Sequence, residues 1–375
     1  MATKSPTPIN RLILIGNGFD LAHRMKTNYE DFILWYFNKY WAQTKKTYFM
    51  NPQFINENIF SNELLSFSYN RELTYSMFDF AHQKFNSLSE IKELIKSSSE
   101  TKRRSNVTLT IKSEFFKSVV GELCHKNWVD IENQYYSLLT KIIKEQSSLK
   151  NQSQESYINS INNLNNEFEI IKQELEQYLT SIETSEENTK INEFLYESPV
   201  VMNRKETEGF ELGQLLLLNF NYTQTAKNYL KSNADIIHIH GELNNENNPI
   251  IFGYGDERDE TYEILEKANI PNVFTHIKSF DYFKTNNYAR LLAFLEAPFD
   301  LYIMGHSCGL SDRTLLSTIF EHDNCRLIKI FYYENLERYR ETTYEMSRHF
   351  TSKAEMRRKV INFKDCSPMP QLLST

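Results

Sequence analysis

Cysteine, glycine and positive charge are all scarce in this chain. Its 375 residues include four cysteines, Cys124, Cys308, Cys325 and Cys366, whose spacings fit neither a zinc site nor a disulfide framework. Reduced thiols in a cytoplasmic chain are therefore expected. The 42 Lys and Arg are outnumbered by 49 Asp and Glu, giving a formal net charge of −7. That balance argues against the broad basic footprint of a general nucleic-acid binder. The short run Lys102-Arg103-Arg104 reads as a solvated loop. The longest apolar run, Phe32 to Phe37, is too short to span a bilayer. Residues 1 to 10 lack the charged start and apolar core of a secretory signal, so no membrane partner is expected. With only ten glycines, the places where they recur near one another become informative.

Arg11 opens the continuous apolar tetrad Leu12-Ile13-Leu14-Ile15, which reads as a strand buried on both faces. Phe19 to Ala22 then predicts a short helix, and Thr27 to Tyr40 an aromatic-rich amphipathic one. From about residue 50 to 205 the composition turns to Asn, Ser, Glu and Lys with helical periodicity. Its strongest pattern is Ile161, Leu164, Phe168, Ile171, Leu175, Tyr178 and Ile182, an apolar seam with steps of three and four. That seam predicts an intramolecular helical hairpin, or else an arm that contacts a second copy or senses a trigger. Thr184 to Asn188 reads as the loop that ends it.

Strand patterns return at Gln214–Asn219, Asp235–His240, Ile250–Phe252, Leu301–Met304 and Leu327–Tyr333. Helical stretches separate them at Thr223–Ser232, Tyr288–Glu296 and Thr314–His322. Alternating strands and helices imply a parallel sheet. The expected fold is α/β, a Rossmann-like doubly wound parallel sheet with a large α-helical insertion. Residues 1–49 and 206–375 would form the sheet domain, and 50–205 the insertion with its coiled-coil-like arm.

Four polar segments follow predicted strands. In open α/β sheets ligands bind beyond the carboxyl ends of the strands, so together these segments point to a nucleotide site. Gly16-Asn17-Gly18-Phe19-Asp20 offers a tight turn and free N–H groups for a phosphate, although Leu21 stands where a dinucleotide fingerprint has its third glycine. Asn221, in Asn219-Phe220-Asn221-Tyr222-Thr223, suits ribose hydroxyls or a carboxamide, or else a helix cap. His240, before Gly241, suits general-base work, while His238 and His240 together could equally be core histidines. Gly305-His306-Ser307-Cys308-Gly309, followed by Ser311-Asp312, reads as a phosphate or ribose cradle. It also matches the G-x-S-x-G elbow of hydrolases, but only His322 and His349 lie downstream of Ser307 to complete a triad.

These stretches resemble the AbiH family of bacterial abortive-infection (anti-phage) proteins. Lys26-Thr27-Asn28-Tyr29, Asp31-Phe32, Trp128-Val129-Asp130-Ile131-Glu132 and Phe252-Gly253-Tyr254-Gly255-Asp256 add to the likeness. A more distant similarity is to the sirtuin-type NAD-binding fold. That resemblance implies an effector that binds NAD and hydrolyses its nicotinamide–ribose bond when an unknown phage-derived trigger appears. It assigns catalytic roles to Asn221 and His240. It places Gly16, Asn17, Gly18, Phe19, Asp20, Tyr222, Gly241, Gly305, His306, Ser307 and Asp312 around the nucleotide. NAD would be substrate or ligand, with no tightly bound cofactor and no metal. The chain departs from the pattern in two respects: it lacks the paired cysteines of sirtuin deacylases, and Thr223 stands where many such glycohydrolases have an acid. Two alternatives remain at this point. One is a nucleic-acid-cleaving toxin in which Asp20, Asp130, Glu132, Asp256 and Asp312 collect magnesium; the other is a non-catalytic nucleotide sensor in a defence complex.

Overall fold

The computed structural model describes residues 6–50, 58–69, 84–99, 106–126, 129–148, 154–183, 185–200, 209–259, 261–268 and 270–372. Lys102-Arg103-Arg104, Trp128 and Thr184 lie outside these. In chain order the strands are β1 (Thr7–Ile15), β2 (Asn58–Ser61), β3 (Leu65–Tyr69), β4 (Val107–Ile111), β5 (Phe210–Asn219), β6 (Ala234–His238), β7 (Phe299–Met304), β8 (Cys325–Tyr332) and β9 (Ser367–Pro368). The chain divides into two compact units. The first holds Met1–Thr27, Leu179–Asn269 and Phe274–Thr375, and the second Asn28–Tyr178 with Ile270–Val273.

The first unit is built on a six-stranded sheet in the order β6-β5-β1-β7-β8-β9. Every neighbouring pair is parallel. Counted along this unit alone, the order is 3-2-1-4-5-6, that of the doubly wound dinucleotide-binding sheets. Apolar residues run without alternation along the central strands, because helices and loops leave neither face to water. Leu12 to Ile15, Leu215 to Leu218 and Leu301 to Met304 are accordingly all buried in one core. Arg11 is buried as well: its guanidinium lies 4.3 Å from the Tyr302 ring centroid and donates to the Leu195 carbonyl at 2.8 Å. Parallel strands need crossover connections. These are supplied by the helices Asn287–Leu295 before β7 and Arg313–Phe320 between β7 and β8, and by Leu336–Ser347 and Lys353–Lys359 before β9.

Two expected elements differ. Thr223 to Ser232 holds only a 3-10 turn, Thr225–Tyr229. Ile250 to Phe252 is no strand of the sheet: past Gly241 the chain has turned, and the Ile251 N–H reaches back to the His240 carbonyl at 2.8 Å.

The second unit is not purely helical. Beside the helices Tyr29–Met50, Leu88–Ser99, Glu114–Lys126, Ile131–Ser148 and Gln154–Thr180 it holds an antiparallel sheet, β2-β3-β4. Leu65-Ser66-Phe67-Ser68-Tyr69 and Val107-Thr108-Leu109-Thr110-Ile111 alternate apolar with hydroxyl side chains, the pattern of a half-buried strand. The surrounding polar composition hides that signal. The unit boundaries after Thr27 and Tyr178 also differ from those expected at 49 and 205.

Helix Gln154–Thr180 carries the seam, with Ile161, Leu164, Phe168, Ile171, Leu175 and Tyr178 all buried. Phe168 packs on Tyr135 at 4.4 Å between centroids, and Tyr178 on Trp35 at 5.4 Å. The seam is thus buried against the chain's own helices and presents no face to a second copy. Ile182 lies beyond the helix, in a turn closed by its N–H to the Leu179 carbonyl at 3.1 Å. Truncating Phe168 to Ala in such packing costs about 3–5 kcal/mol.

Candidate functional site

The strand order reverses between β1 and β7, and the loops leaving these two strands meet at their carboxyl ends. Gly18 donates its N–H to the Gly305 carbonyl at 2.8 Å, and Gly16 donates to Met304 at 3.2 Å. The approach leaves no room for side chains. A Cβ on Gly16 would lie 2.5 Å from the His306 Cα, and one on Gly305 would lie 2.1 Å from the Phe19 nitrogen. Gly305 also has φ +74°, a left-handed conformation that L-residues avoid. Packing of one loop on the other therefore accounts for these glycines without a ligand. Around the contact, Asn17 and Ser307 are exposed while Phe19, Asp20 and His306 are buried. Asn17 accepts a hydrogen bond from the Thr27 hydroxyl at 2.6 Å.

The β5 loop ties the other segments to this junction. Asn221 donates its side-chain amide to the Gly16 carbonyl at 3.0 Å, and its own N–H is held by the Asn219 side chain at 3.1 Å. No α-helix follows Asn221, so the cap reading fails; Asn221 is a strap between two strand ends. Phe220, one residue earlier, packs edge-on against His306 (4.1 Å) and His240 (5.0 Å). Tyr222 donates to the Ile251 carbonyl at 3.2 Å.

Asp312 gathers the charged groups. Its Oδ1 lies 2.7 Å from Lys278 Nζ and 3.2 Å from His240 Nε2, and its Oδ2 lies 3.7 Å from His306 Nε2. Asp312 begins helix Arg313–Phe320 but makes no side-chain cap, which leaves its carboxylate for the Lys278 ammonium and the two imidazoles. Burial works to raise the Asp312 pKa, yet Lys278, then His240 and His306, hold it well below the usual carboxylate range. Burial lowers His240, with Lys278 acting in the same direction against Asp312. It pushes His306 down to about 4. Both imidazoles are therefore neutral near pH 7.

Tautomers follow from the partners. Cys308 donates its N–H to His306 Nδ1 at 3.0 Å, so the His306 proton sits on Nε2, facing Asp312. His240 likewise directs Nε2 to Asp312, with the Tyr282 hydroxyl 3.4 Å away. Nδ1 of His240 makes no hydrogen bond among the described residues, which leaves a lone pair available as a base.

A second polar group centres on Asp20. Thr223 donates its hydroxyl to Asp20 Oδ2 at 2.6 Å, whereas Asp20 Oδ1 is buried without a hydrogen-bond partner among the described residues. Burial raises Asp20 to about 6, against the hydroxyls of Thr223 and Thr225 and the amide of Asn221. His238 takes no part in the Asp312 cluster. Its Nδ1 accepts from the Asn219 side-chain amide at 3.1 Å, it lies 4.0 Å from Glu242, and burial pushes it down to about 4. Strand β6 ends at His238 and the chain turns at Gly241, where φ is +85°. His240 is thereby directed to Asp312.

The four segments thus meet at one end of the parallel sheet. Two groups that the sequence did not reveal join them, Lys278 and Tyr282. Lys278 is 1% exposed, although Ile277-Lys278-Ser279-Phe280 carries no local mark of a buried cation. The serine-elbow alternative loses its geometry, because the positive φ values flank Ser307, at Gly305 and Cys308, instead of falling on the serine itself. His349 donates to the Cys308 carbonyl at 2.8 Å and so anchors that loop. The magnesium alternative fares no better. Asp20 pairs with Thr223, Asp256 with Arg313 and Asp312 with Lys278, while Asp130 caps helix Ile131–Ser148 through the Asn133 N–H. Among the described residues no group of three acids, histidines or cysteines comes together to hold a metal. Nor is any helix there long and apolar enough to cross a membrane.

No curated protein and no solved structure matched this chain. A family model did, that of "Bacteriophage abortive infection AbiH", over residues 12–334. The match starts within β1 and runs past the end of β8, so it takes in all four polar segments together with Lys278 and Asp312. The chain belongs to the AbiH family of bacteriophage abortive infection proteins.

Proposed function

We propose that this chain is an anti-phage abortive-infection effector whose α/β unit binds NAD, or a closely related nucleotide, beyond β1 and β7. Once triggered, it hydrolyses the nicotinamide–ribose bond. The observation that carries the reading is the convergence of the Gly16–Asp20 turn, Asn221, His240 and the Gly305–Ser307 loop where the strand order reverses, with His240 fixed by Asp312.

The chemistry asks little of the protein. The bond from C1′ to the pyridinium nitrogen breaks, and its electron pair leaves with nicotinamide, which departs neutral. Water adds to the oxocarbenium-like sugar and gives up a proton. Asp312, itself held by Lys278, keeps the His240 proton on Nε2 so that Nδ1 can take the proton from water. Asn221 orients the sugar through its amide, and the Gly305–Ser307 loop and Asn17 meet the phosphates. Orientation and fixed dipoles supply most of the remaining acceleration.

The test is chromatographic measurement of NAD and nicotinamide with the purified full chain and in infected cells. His240→Ala and Asn221→Ala should each lower turnover by about a hundredfold or more. Phage protection equal to the parent in both variants would refute the assignment. A second reading is supported by closure: His240, Asp312 and Asn221 are each at most 9% exposed and already paired within the chain. On that reading the crevice senses a nucleotide without turning it over. Calorimetric binding with no nicotinamide release, even during infection, separates the two.

A further inference from the structure

The chemistry above leaves Asp20, a buried titratable group among these strand-end loops, without a part. Asp20 sits on the short helix Asn17–Ala22 that follows β1 and is capped by His23, and one of its oxygens is engaged by Thr223 at 2.6 Å. The other, Oδ1, is enclosed with no hydrogen-bond partner among the described residues. A buried carboxylate oxygen without a donor is costly, and natural proteins seldom keep one without a use. The position is equally pointed. Thr223 follows Asn221 by two residues, and Asn221 is tied to Gly16, so Asp20, Thr223 and Asn221 share one corner of the loop junction. A hydrogen-bond donor brought to this corner meets an acceptor that nothing else satisfies.

We propose that Asp20 Oδ1 is the acceptor for a neutral hydrogen-bond donor of the bound nucleotide, an amide N–H or a sugar hydroxyl. This rests on the nucleotide reading above and adds a specificity-determining residue to it. Admission of the ligand requires the Gly305 loop to part from the Gly16–Gly18 turn. The two are joined through the backbone by Gly18 to Gly305 and Gly16 to Met304. A donor at Oδ1 stabilises the ionised carboxylate, and an anionic group there is repelled by it.

Proton linkage makes the proposal measurable. The free carboxyl titrates at about 6 because it is buried. The groups facing it are the hydroxyls of Thr223 and Thr225 and the amide of Asn221. The nearby imidazoles have other partners. His23, on the same helix, is held by the Phe19 carbonyl and the Tyr229 hydroxyl. His238 faces Asn219 and Glu242, and His240 and His306 face Asp312. Binding that needs the ionised form strengthens as pH rises through the free value and then levels off.

The experiment is calorimetric titration of the full chain carrying His240→Ala, which suppresses turnover, between pH 5 and pH 8. The probes are NAD, nicotinic acid adenine dinucleotide and ADP-ribose. NAD affinity should rise about tenfold from pH 5 to pH 7. Adding Asp20→Asn should flatten that profile to within about twofold. Thr223→Val should instead move its midpoint to higher pH, since it removes the donor to Oδ2, and this arm stands even if the Asp20 variant fails to fold. If the donor is the carboxamide, the rise belongs to NAD alone and nicotinic acid adenine dinucleotide binds at least about tenfold more weakly. If the donor is a hydroxyl, all three probes share it. A flat profile in the parent, or the same profile in Asp20→Asn, overturns the role of Asp20 while leaving the nucleotide site intact. Failure of all three probes to bind at any pH removes the nucleotide reading, and this inference with it.

Discussion

Asp312 and Asp20 are both buried carboxylates at strand ends of one sheet, yet their environments drive them in opposite directions. Asp312 has Lys278 at 2.7 Å and His240 at 3.2 Å, and it is held well below the ordinary carboxylate range. Asp20 faces only neutral donors, the hydroxyls of Thr223 and Thr225 and the amide of Asn221, and it is raised to about 6. Desolvation acts on both; the cation beside one of them decides the sign. The pair therefore separates a group whose charge is permanent near pH 7 from one poised to change it. Where titratable neighbours are pushed apart in this way, acid–base roles are commonly found.

The largest expected effect comes from removing the cation. Lys278→Met leaves Asp312 buried and uncompensated, which should destabilise the protein by about 3–5 kcal/mol, read as a loss in denaturant midpoint. Without Lys278, Asp312 should behave more like Asp20, with its pKa moving upward. The double variant Lys278→Met with Asp312→Asn should recover much of the loss. If the double change costs as much as the sum of the singles, the ion pair is not what holds this corner.

Asp20→Asn probes the other half of the comparison, and its effect has the opposite sign. The folded value of Asp20 lies above the ordinary 3.8, so below pH ~4 the group costs nothing and above pH ~6 its full penalty is present. The difference corresponds to about 3 kcal/mol as an upper bound. Asp20→Asn should thus raise stability at pH 7 by up to that amount and leave it unchanged at pH 4. A loss of stability at both values would mean that the carboxylate is better accommodated than its bare oxygen implies.

The core of this molecule was legible and its chemistry only partly so. Leu12 to Ile15 and Leu301 to Met304 announce themselves because strands buried on both faces cannot alternate. The Ile161-to-Tyr178 seam does so because one helix face must be apolar. Sheet β2-β3-β4 was missed although Phe67 and Leu109 sit in plain alternation, because the composition around them dominates the window. The four polar segments could be collected because each follows such a strand. Lys278 and Tyr282 could not, since they reach Asp312 and His240 from the single-turn helix Lys278–Asp281 and its C-cap, whose position depends on the turn after Gly241 and the bridge between Tyr254 and Ile277. No periodicity encodes that return. Fixing it takes tertiary contacts such as the Lys278 N–H to the Tyr254 carbonyl at 3.0 Å.

The smallest effect should come from Ser307, which shares its loop with His306 but none of that residue's burial. Ser307 is exposed and makes no hydrogen bond among the described residues, so Ser307→Ala should change stability by no more than about 0.5 kcal/mol. If its hydroxyl meets a nucleotide phosphate, the variant should bind NAD about tenfold more weakly, the worth of one hydrogen bond to a charged group. Its turnover of bound substrate should stay within about twofold, because proton transfer belongs to His240. The opposite pattern, full affinity with abolished turnover, would transfer the chemistry to a serine nucleophile. That would require the loop to rearrange, since Gly305 and Cys308 rather than Ser307 now occupy the strained backbone positions. A folded Ser307→Ala protein therefore distinguishes a phosphate contact from a nucleophile by which of the two quantities moves.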